Sequence, residues 1–595
     1  MSAQQLITEH IDLWTSTIKA RKTQGRGSNK KRELYGIKKL RELILELAVR
    51  GKLVEQDHND EPASILIARI ATEKRLLVKE NKIKKQKPLS ETTEEEKPFE
   101  VPEGWHWEKL GNLFYLEMGQ SPASKYYNQD GEGLPFFQGK ADFGKKYPTP
   151  RYWCVQPQKH AYPGDVLLSV RAPVGPTNIA NIKCCIGRGL AALRPLSGIS
   201  TSFVFYTMHA FRNTLELLAT GTTFSAVSKV HVENLAISVP PLKEQHRIVA
   251  KVDELMALCD QLEQQTESSL DAHNLLVDTL LSTLTDARDA KELSDSWARF
   301  MSTDGLTTGN AGTIPNTHSV FDTLITTDYA VEQLKQTILQ LAVMGKLVPQ
   351  NPNDEPASKL LKRIAAEKAQ LIKDKKIKKQ KELPPIGDDE NLKALPAGWS
   401  YAYMQNITKV VTCGMASTPK YQTKGRMFLS AKNIKPYKFM PEEHKFVDDE
   451  TFRKITQNAC PERGDILLTR VGAGIGEAAV IDRDIEFAFY VSLTLVKPFL
   501  THINSNYLLH WLNSPQGVKK SLDNVYGAGV SQGNLNVNQV RRFEVPIPPL
   551  EEQQRIVTKV DKLITLCDQL KSQLNHAQTT QLHLSDAVVE NALTA

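Results

Sequence analysis

Apolar positions along the chain fall into a helical pattern that is written twice. In "PPLKEQHRIVAKVDELMALCDQL" (240–262), Ile248, Val252, Leu255, Cys259 and Leu262 step alternately by four and three. In "PPLEEQQRIVTKVDKLITLCDQL" (548–570), Ile556, Val560, Leu563, Cys567 and Leu570 repeat those steps 308 positions later. Such stepping is an a/d seam, the face that a helix lays against a partner helix. Pro240-Pro241 and Pro548-Pro549 cannot lie inside a helix and mark its start. Lys243-Glu244-Gln245 and Glu551-Glu552-Gln553 suit a first turn. Leu270, Leu276 and Leu280, then Leu574 and Leu584, extend both helices less regularly. About 30 helical residues make a rod of ~45 Å. Two such rods lying antiparallel would hold the segments between them at a fixed distance.

A second repeated block precedes each insert. "LAVRGKLVEQDHNDEPAS" (47–64) returns as "LAVMGKLVPQNPNDEPAS" (341–358), 294 positions on. The match continues through "NKIKKQK" (81–87) against "KKIKKQK" (375–381), and "VPEGW" (101–105) against "LPAGW" (395–399). The offset grows from 294 to 308, so the stretch after Trp399 is 14 residues longer than that after Trp105. Leu40, Ile44 and Leu47, and Leu334, Ile338 and Leu341, are helical faces. Gly51 and Gly345 end them as left-handed caps. Asp60 and Asp354 are expected as N-caps, with Pro62 and Pro356 in the first turn. The helices so capped should reach about Gln86 and Gln380. Their lysine-rich ends either touch DNA or a partner, or stand solvated.

The segments between the repeats diverge. Both are rich in β-branched and aromatic residues with Gly/Pro punctuation, so they read as mixed, strand-rich modules of one fold. "PGDVLLSVRAPVGPTNIA" (163–180) parallels "RGDILLTRVGAGIGEAAV" (463–480), and "GTTFSAVSK" (221–229) parallels "GAGVSQGNL" (527–535). The organisation is α+β with an internal pseudo-two-fold duplication. A helical region (1–100) leads to a first module (101–239). A central helical region (240–398) contains a linker at about 285–327, including the polar, Gly-rich Thr303–Asn316. A second module (399–547) and a final helix (548–595) follow. Lys22–Lys31 reads as a basic loop.

Composition narrows the function. The chain has 595 residues, 41% hydrophobic, with a formal net charge of +7; that is compatible with nucleic acid without requiring it. Seven cysteines (154, 184, 185, 259, 413, 460 and 567) form no CxxC pair. This fits a reducing compartment with neither a disulfide framework nor a zinc site. Cys259 and Cys567 read as small buried hydrophobes. No stretch approaches the ~20 apolar residues of a membrane span, and a cytoplasmic protein without membrane contact is expected. Catalytic signatures are missing. The Pro-Pro pairs read "VPPL", "LPPI" and "IPPL", none with the polar residue and aromatic that clamp a flipped base. "GAGIGE" (472–477) follows no βαβ unit, no GxxxxGK[S/T] occurs, and there is no HExxH.

The two repeated blocks, with "SPASKYYNQDGEGLPFFQGKADFG" (121–144) and "GDVLLSVRAPVG…CCIGRGLAALRP" (164–195), resemble the specificity subunit of type I restriction–modification systems (HsdS). The resemblance covers the whole chain and is nearest to the type IB group. It implies two target recognition domains, each reading one half of a split double-stranded DNA site, with the repeated helices setting the unread spacer. It further implies docking of two methyltransferase subunits, and of two motor/nuclease subunits in the restriction complex. No cofactor would belong to this chain; S-adenosylmethionine, and ATP with Mg, would be bound by the partners. A coiled-coil assembly protein whose inserts bind protein or glycan is the alternative, and an autonomous methyltransferase or nuclease is a third reading that the missing motifs oppose.

Base edges are read best by Arg, Lys, Asn and Gln on turns that approach a groove. Gln138, Lys140, Arg171 and Ser225 are the candidates in the first module. Lys432, Asn433, Arg470, Gln532 and Asn534 are those in the second. Arg171 and Arg470 have an alternative as strand-end partners of Asp165 and Asp465. Gln138, Ser225 and Gln532 have one as turn-forming hydrogen bonders. Phe137 and Phe143 read as core, and Asp142 as an orienting group.

Overall fold

A computed structural model describes residues 3–20, 32–219, 226–301, 319–387, 394–457, 460–526 and 533–594. The expected loop Lys22–Lys31, the linker Thr303–Asn316, and the candidates Ser225 and Gln532 lie outside the described residues. The chain divides into two compact units. One holds residues 1–24, 28–268 and 578–595; the other holds 25–27 and 269–577. Among the described residues no helix is long and apolar enough to cross a membrane, and no group of three or more His, Cys, Asp or Glu is placed to hold a metal.

In the first unit the helix Tyr35–Val49 buries Ile37, Leu40, Leu43, Ile44 and Leu47. Gly51 ends it at φ +70°, and the Lys52 N–H returns to the Leu47 carbonyl at 3.0 Å, the left-handed cap that the glycine implied. A side chain at Gly51 would also meet Pro102 Cγ at 2.5 Å. The next helix is Ala63–Lys79. Two expectations fail here. Pro62, not Asp60, occupies the N-cap, and its extended backbone lets the Ala63 N–H reach the Gly104 carbonyl at 2.8 Å. Asp60 is buried and pairs with Arg247 at 2.7 Å. The helix also stops before Gln86: Asn81 turns left-handed (φ 57°) and the Lys82 N–H closes on the Leu77 carbonyl. The basic run is therefore not a helix end.

The described strands of the first module build three sheets. A four-stranded antiparallel sheet orders Thr177–Ile179, Val166–Ser169, Leu190–Pro195 and Phe114–Met118. Every residue of Val166–Ser169 is buried, because both faces are covered. Val166, Leu168 and Leu193 pack with Val204, Phe205 and Met208 of the helix Thr201–Ala210. Leu167, Leu190 and Ala192 pack instead with Phe137 and Ile186. Those last two residues belong to a five-stranded sheet in which Leu134–Phe137 and Cys184–Ile186 run parallel. The third sheet pairs only the first and last strands of the module, His106–Lys109 with Ala236–Val239.

The second unit repeats this plan. Helices Asp328–Val343 and Ala357–Lys373 have the same ends: Gly345 at φ +70°, Pro356 rather than Asp354 at the N-cap, and Lys375 left-handed at φ 57°. Asp354 pairs with Arg555 at 2.6 Å. The sheet Thr408–Cys413, Leu493–Pro498, Ile466–Thr469, Ala478–Val480 matches the four-stranded one, and Ser400–Tyr403 pairs with Glu544–Ile547 to close the module.

The two long helices, Leu242–Asp286 and Leu550–Thr594, have 45 residues each, longer than the seam implied. A further helix, Ala290–Met301, lies where linker was expected. Ile248, Val252, Leu255, Cys259 and Leu262 are all buried. Ile556, Val560 and Cys567 are buried too, with Leu563 and Leu570 packed on the same cluster. Their neighbours in that cluster include Leu334, Ile338 and Leu341 of Asp328–Val343 and Val277, Leu281 and Leu284 of the first long helix. Burial pushes the Cys259 and Cys567 thiols up to about 11. The start of each helix is an anchor rather than a solvated first turn. Glu244 accepts from Gln56 Nε2 at 2.8 Å and from the Trp105 indole at 3.0 Å. Gln245 accepts the Ser200 N–H at 3.1 Å. Glu552 and Gln553 do the same for Gln350 (2.9 Å) and the Asn504 N–H (2.8 Å). Burial pushes both carboxyls up from their ordinary range.

Candidate nucleic-acid interface

Where the strands of the first module end, four turns converge on one rim. The turn after Leu134–Phe137 is held by Asp142, which is buried and accepts the Gln138 N–H at 2.7 Å while Arg151 Nε donates to it at 2.7 Å. Asp142 thus orients the turn, and the side chains of Gln138 and Lys140 stand exposed. Phe137 is core, and Phe143 packs on the same cluster. Beside them lies Gly187-Arg188-Gly189, between Cys184–Ile186 and Leu190–Pro195. The Gly187 N–H donates to the Phe137 carbonyl at 2.8 Å, the Leu190 N–H to the Gly187 carbonyl at 3.0 Å, and the Arg188 N–H to Ser121 Oγ at 3.2 Å. A Cβ at Gly189 would sit 2.3 Å from the Gln138 carbonyl oxygen, so only glycine fits. Arg188 is exposed at the tip. Arg171 follows Val166–Ser169, exposed, with its backbone bridged to Ala226.

Neither arginine pairs with Asp165. Arg194 takes that carboxylate with both Nε (3.0 Å) and Nη2 (2.9 Å). Lys497 takes Asp465 at 2.6 Å in the second unit. The strand-end pairing offered for Arg171 and Arg470 is thus replaced by a cation on the neighbouring strand in both copies. Among the described residues the guanidinium groups of Arg171 and Arg188 make no hydrogen bond or ion pair. The other three arginines of the module are paired, with Asp142, Asp165 and Glu216.

The second module has the same rim and different chemistry. Lys432 is exposed in the turn Ser430–Asn433. Asn433 is only 2% exposed: its amide donates to the carbonyls of Met440 (2.9 Å) and Glu443 (2.8 Å), and its oxygen accepts the Ser430 N–H. It is the counterpart of Asp142, and its candidacy as a base reader ends there. Arg470 is likewise internal, 7% exposed, donating to the Leu535 carbonyl (2.8 Å), the Val491 carbonyl (3.1 Å) and Asn534 Oδ1 (2.7 Å). The reason is a one-residue slip. The Val170 N–H donates to the Gly189 carbonyl and the Arg470 N–H to the Ser492 carbonyl, so Arg470 occupies the place of Val170, and Arg171 that of Val471. One step along a strand exchanges inside for outside. Asn534 is exposed but holds Arg470. Arg188 was not among the sequence candidates; an Arg between two glycines in "CIGRGL" was its signal.

The profile of the type I restriction modification DNA specificity domain matches residues 102–272 and 420–577. The specificity subunit of the type I restriction enzyme EcoAI from Escherichia coli is 40% identical over 609 aligned residues, covering 100% of both chains. That of EcoEI, also from Escherichia coli, is 38% identical with the same coverage. Among solved structures, the HsdS subunit from Thermoanaerobacter tengcongensis is 34% identical, covering 43% of this chain and 62% of that one, with a TM-score of 0.26.

Proposed function

The chain belongs to the specificity subunits of type I restriction enzymes, and from that premise we propose that its two modules each read one half of a bipartite, asymmetric DNA site. Specificity subunits recognise DNA sequence and are not catalytic; methylation and cleavage come from other subunits of the complex. The observation that carries the two-reader proposal is the pair of rims: one backbone plan presented twice, on near-identical helices, with unlike side chains at matching positions. Gln138, Lys140, Arg171 and Ser225 serve the first reader. Lys432, Gln532 and Asn534 serve the second, while Arg470 and Asn433 hold its backbone.

The long helices would fix the unread spacer and dock two methyltransferase subunits. Leu258 and Leu566 support that role: they occupy equivalent helix positions and stay exposed, 37% and 52%, although the seam beside them is buried. Two copies of one partner need two copies of one apolar contact. Two motor/nuclease subunits complete the restriction assembly. S-adenosylmethionine, and ATP with Mg, belong to those partners.

Methylome sequencing of cells that express the chain with its methyltransferase tests the proposal. A split, asymmetric motif methylated on adenine is expected, and a continuous palindrome would refute it. Filter binding of the complex to duplex DNA should weaken steeply with salt.

A further inference from the structure

The two arginines on the first rim stand exposed on adjoining turns. Strand Val166–Ser169 pairs antiparallel with Leu190–Pro195 in the register Ser169↔Leu190. Just beyond it the Val170 N–H donates to the Gly189 carbonyl at 2.9 Å, the chain turns over residues 187–190, and Arg171 and Arg188 are the next residues on either side of that bond. Like charges so placed repel, and among the described residues no carboxylate pairs with either. In the second module the register Thr469↔Leu493 is followed by the matching bond of 2.9 Å from the Arg470 N–H to the Ser492 carbonyl, with Val471 and Val491 as the next residues on either side of it. One position in the fold thus carries Arg/Arg in one module and Val/Val in the other.

Deepening the two-reader proposal, on which it rests, we propose that this pair of rim places reads bases in both modules: Arg171 and Arg188 take the O6 and N7 acceptors of guanine in one half-site, and Val471 and Val491 take the methyl group of thymine in the other. Arg is the side chain that matches the two guanine acceptors, and small apolar groups are what the thymine methyl accepts. A phosphate contact is the competing use of two arginines. The comparison between modules decides against it. The DNA backbone is the same under both readers, so a position that touches phosphate needs a cation in each. Lys140 and Lys432 give each of the matching turns one exposed cation, at adjacent rather than equivalent places; the Arg/Arg and Val/Val position has a cation in one module only. It varies as a position that reads sequence must. The rim fixes the arginines from behind: Gly189 has no room for a side chain, and the Arg188 N–H is tied to Ser121.

The test compares methylomes of the complete complex carrying the wild-type chain, R171A/R188A or V471A/V491A, with affinity measured on the wild-type duplex. In R171A/R188A a guanine in one half-site should become degenerate while the other half stays as it was. Affinity should fall about ten- to hundredfold. V471A/V491A should relax a thymine in the opposite half, and it stands as an independent arm if the arginine variant fails to fold. An unchanged motif with a shallower salt dependence would assign the arginines to phosphate and overturn the inference; an unchanged motif with unchanged affinity would overturn it also. A wild-type complex with no split motif would instead refute the two-reader proposal itself.

Discussion

Arg470 and Arg171 look alike in sequence, and their removal should have opposite consequences. Arg470→Ala withdraws a guanidinium that satisfies the Leu535 and Val491 carbonyls and Asn534 Oδ1. The site is 7% exposed, so water cannot freely replace it. Leaving the two carbonyl acceptors unmet costs about 1–3 kcal/mol each, giving about 2–6 kcal/mol for the variant. Arg171 is exposed without a partner among the described residues, and its loss should fall within about 0.5 kcal/mol. Urea denaturation, with hydrogen exchange resolved to peptides covering 466–471 and 533–541, separates the two. R470A should lower the midpoint and release protection in both peptides; R171A should change neither and alter DNA binding alone. R470A with a wild-type midpoint and impaired binding would refute the assignment of Arg470 to the interior.

Three further outcomes follow from the geometry. Glu244→Leu leaves the Trp105 indole N–H and the Gln56 amide without their acceptor; a loss of about 2–4 kcal/mol is expected in urea denaturation, and Glu552→Leu should act alike in the other unit. Gly189→Ala forces the tip of the rim away from the Gln138 carbonyl, which lies 2.3 Å from the added Cβ; methylome sequencing should show one half-site relaxed and the other intact. Lys74 and Lys368 bond to the carbonyls of Gly111 and Gln405, and burial draws both down to about 8. Unfolded lysine holds its proton to about 10.4, so above pH 8 the unfolded state binds more protons and stability rises with pH, by about 1.4 kcal/mol per unit per lysine. The gain from pH 8 to 9, read as the difference in urea midpoint from K74M/K368M, should vanish in the variant.

What could be read in the sequence followed from spacing. The seam, the prolines before each long helix, and the glycines at 51 and 345 are local patterns with local causes, and the structure places them as read. Side chains whose partners are distant were read less well. Asp60 has the sequence neighbours of an N-cap, yet its partner, Arg247, lies 187 positions away. The lysine-rich ends looked helical because Lys375 gives no sequence sign of a left-handed turn, although Asn at the matching position 81 tolerates one. In the rims, matching "SVR" to "LTR" aligned letters rather than pleats, and the period of two turned that slip into a wrong face for Arg470. Asn433 was misread because only the fold equates it with Asp142. Arg188 needed the fold before its place near Arg171 had meaning.

The pairing of each module's first and last strands has a consequence of its own. His106–Lys109 lies against Ala236–Val239, and Ser400–Tyr403 against Glu544–Ile547, in the same four-residue match. The chain therefore leaves each module beside the point where it came in, and the helices on either side meet the same short clasp whatever is threaded through it. The second insert is 14 residues longer than the first, and its clasp is unchanged. Such a clasp works as a standard fitting: a module of different size can be plugged in so long as it keeps the seats that Ser200 and Asn504 offer to Gln245 and Gln553.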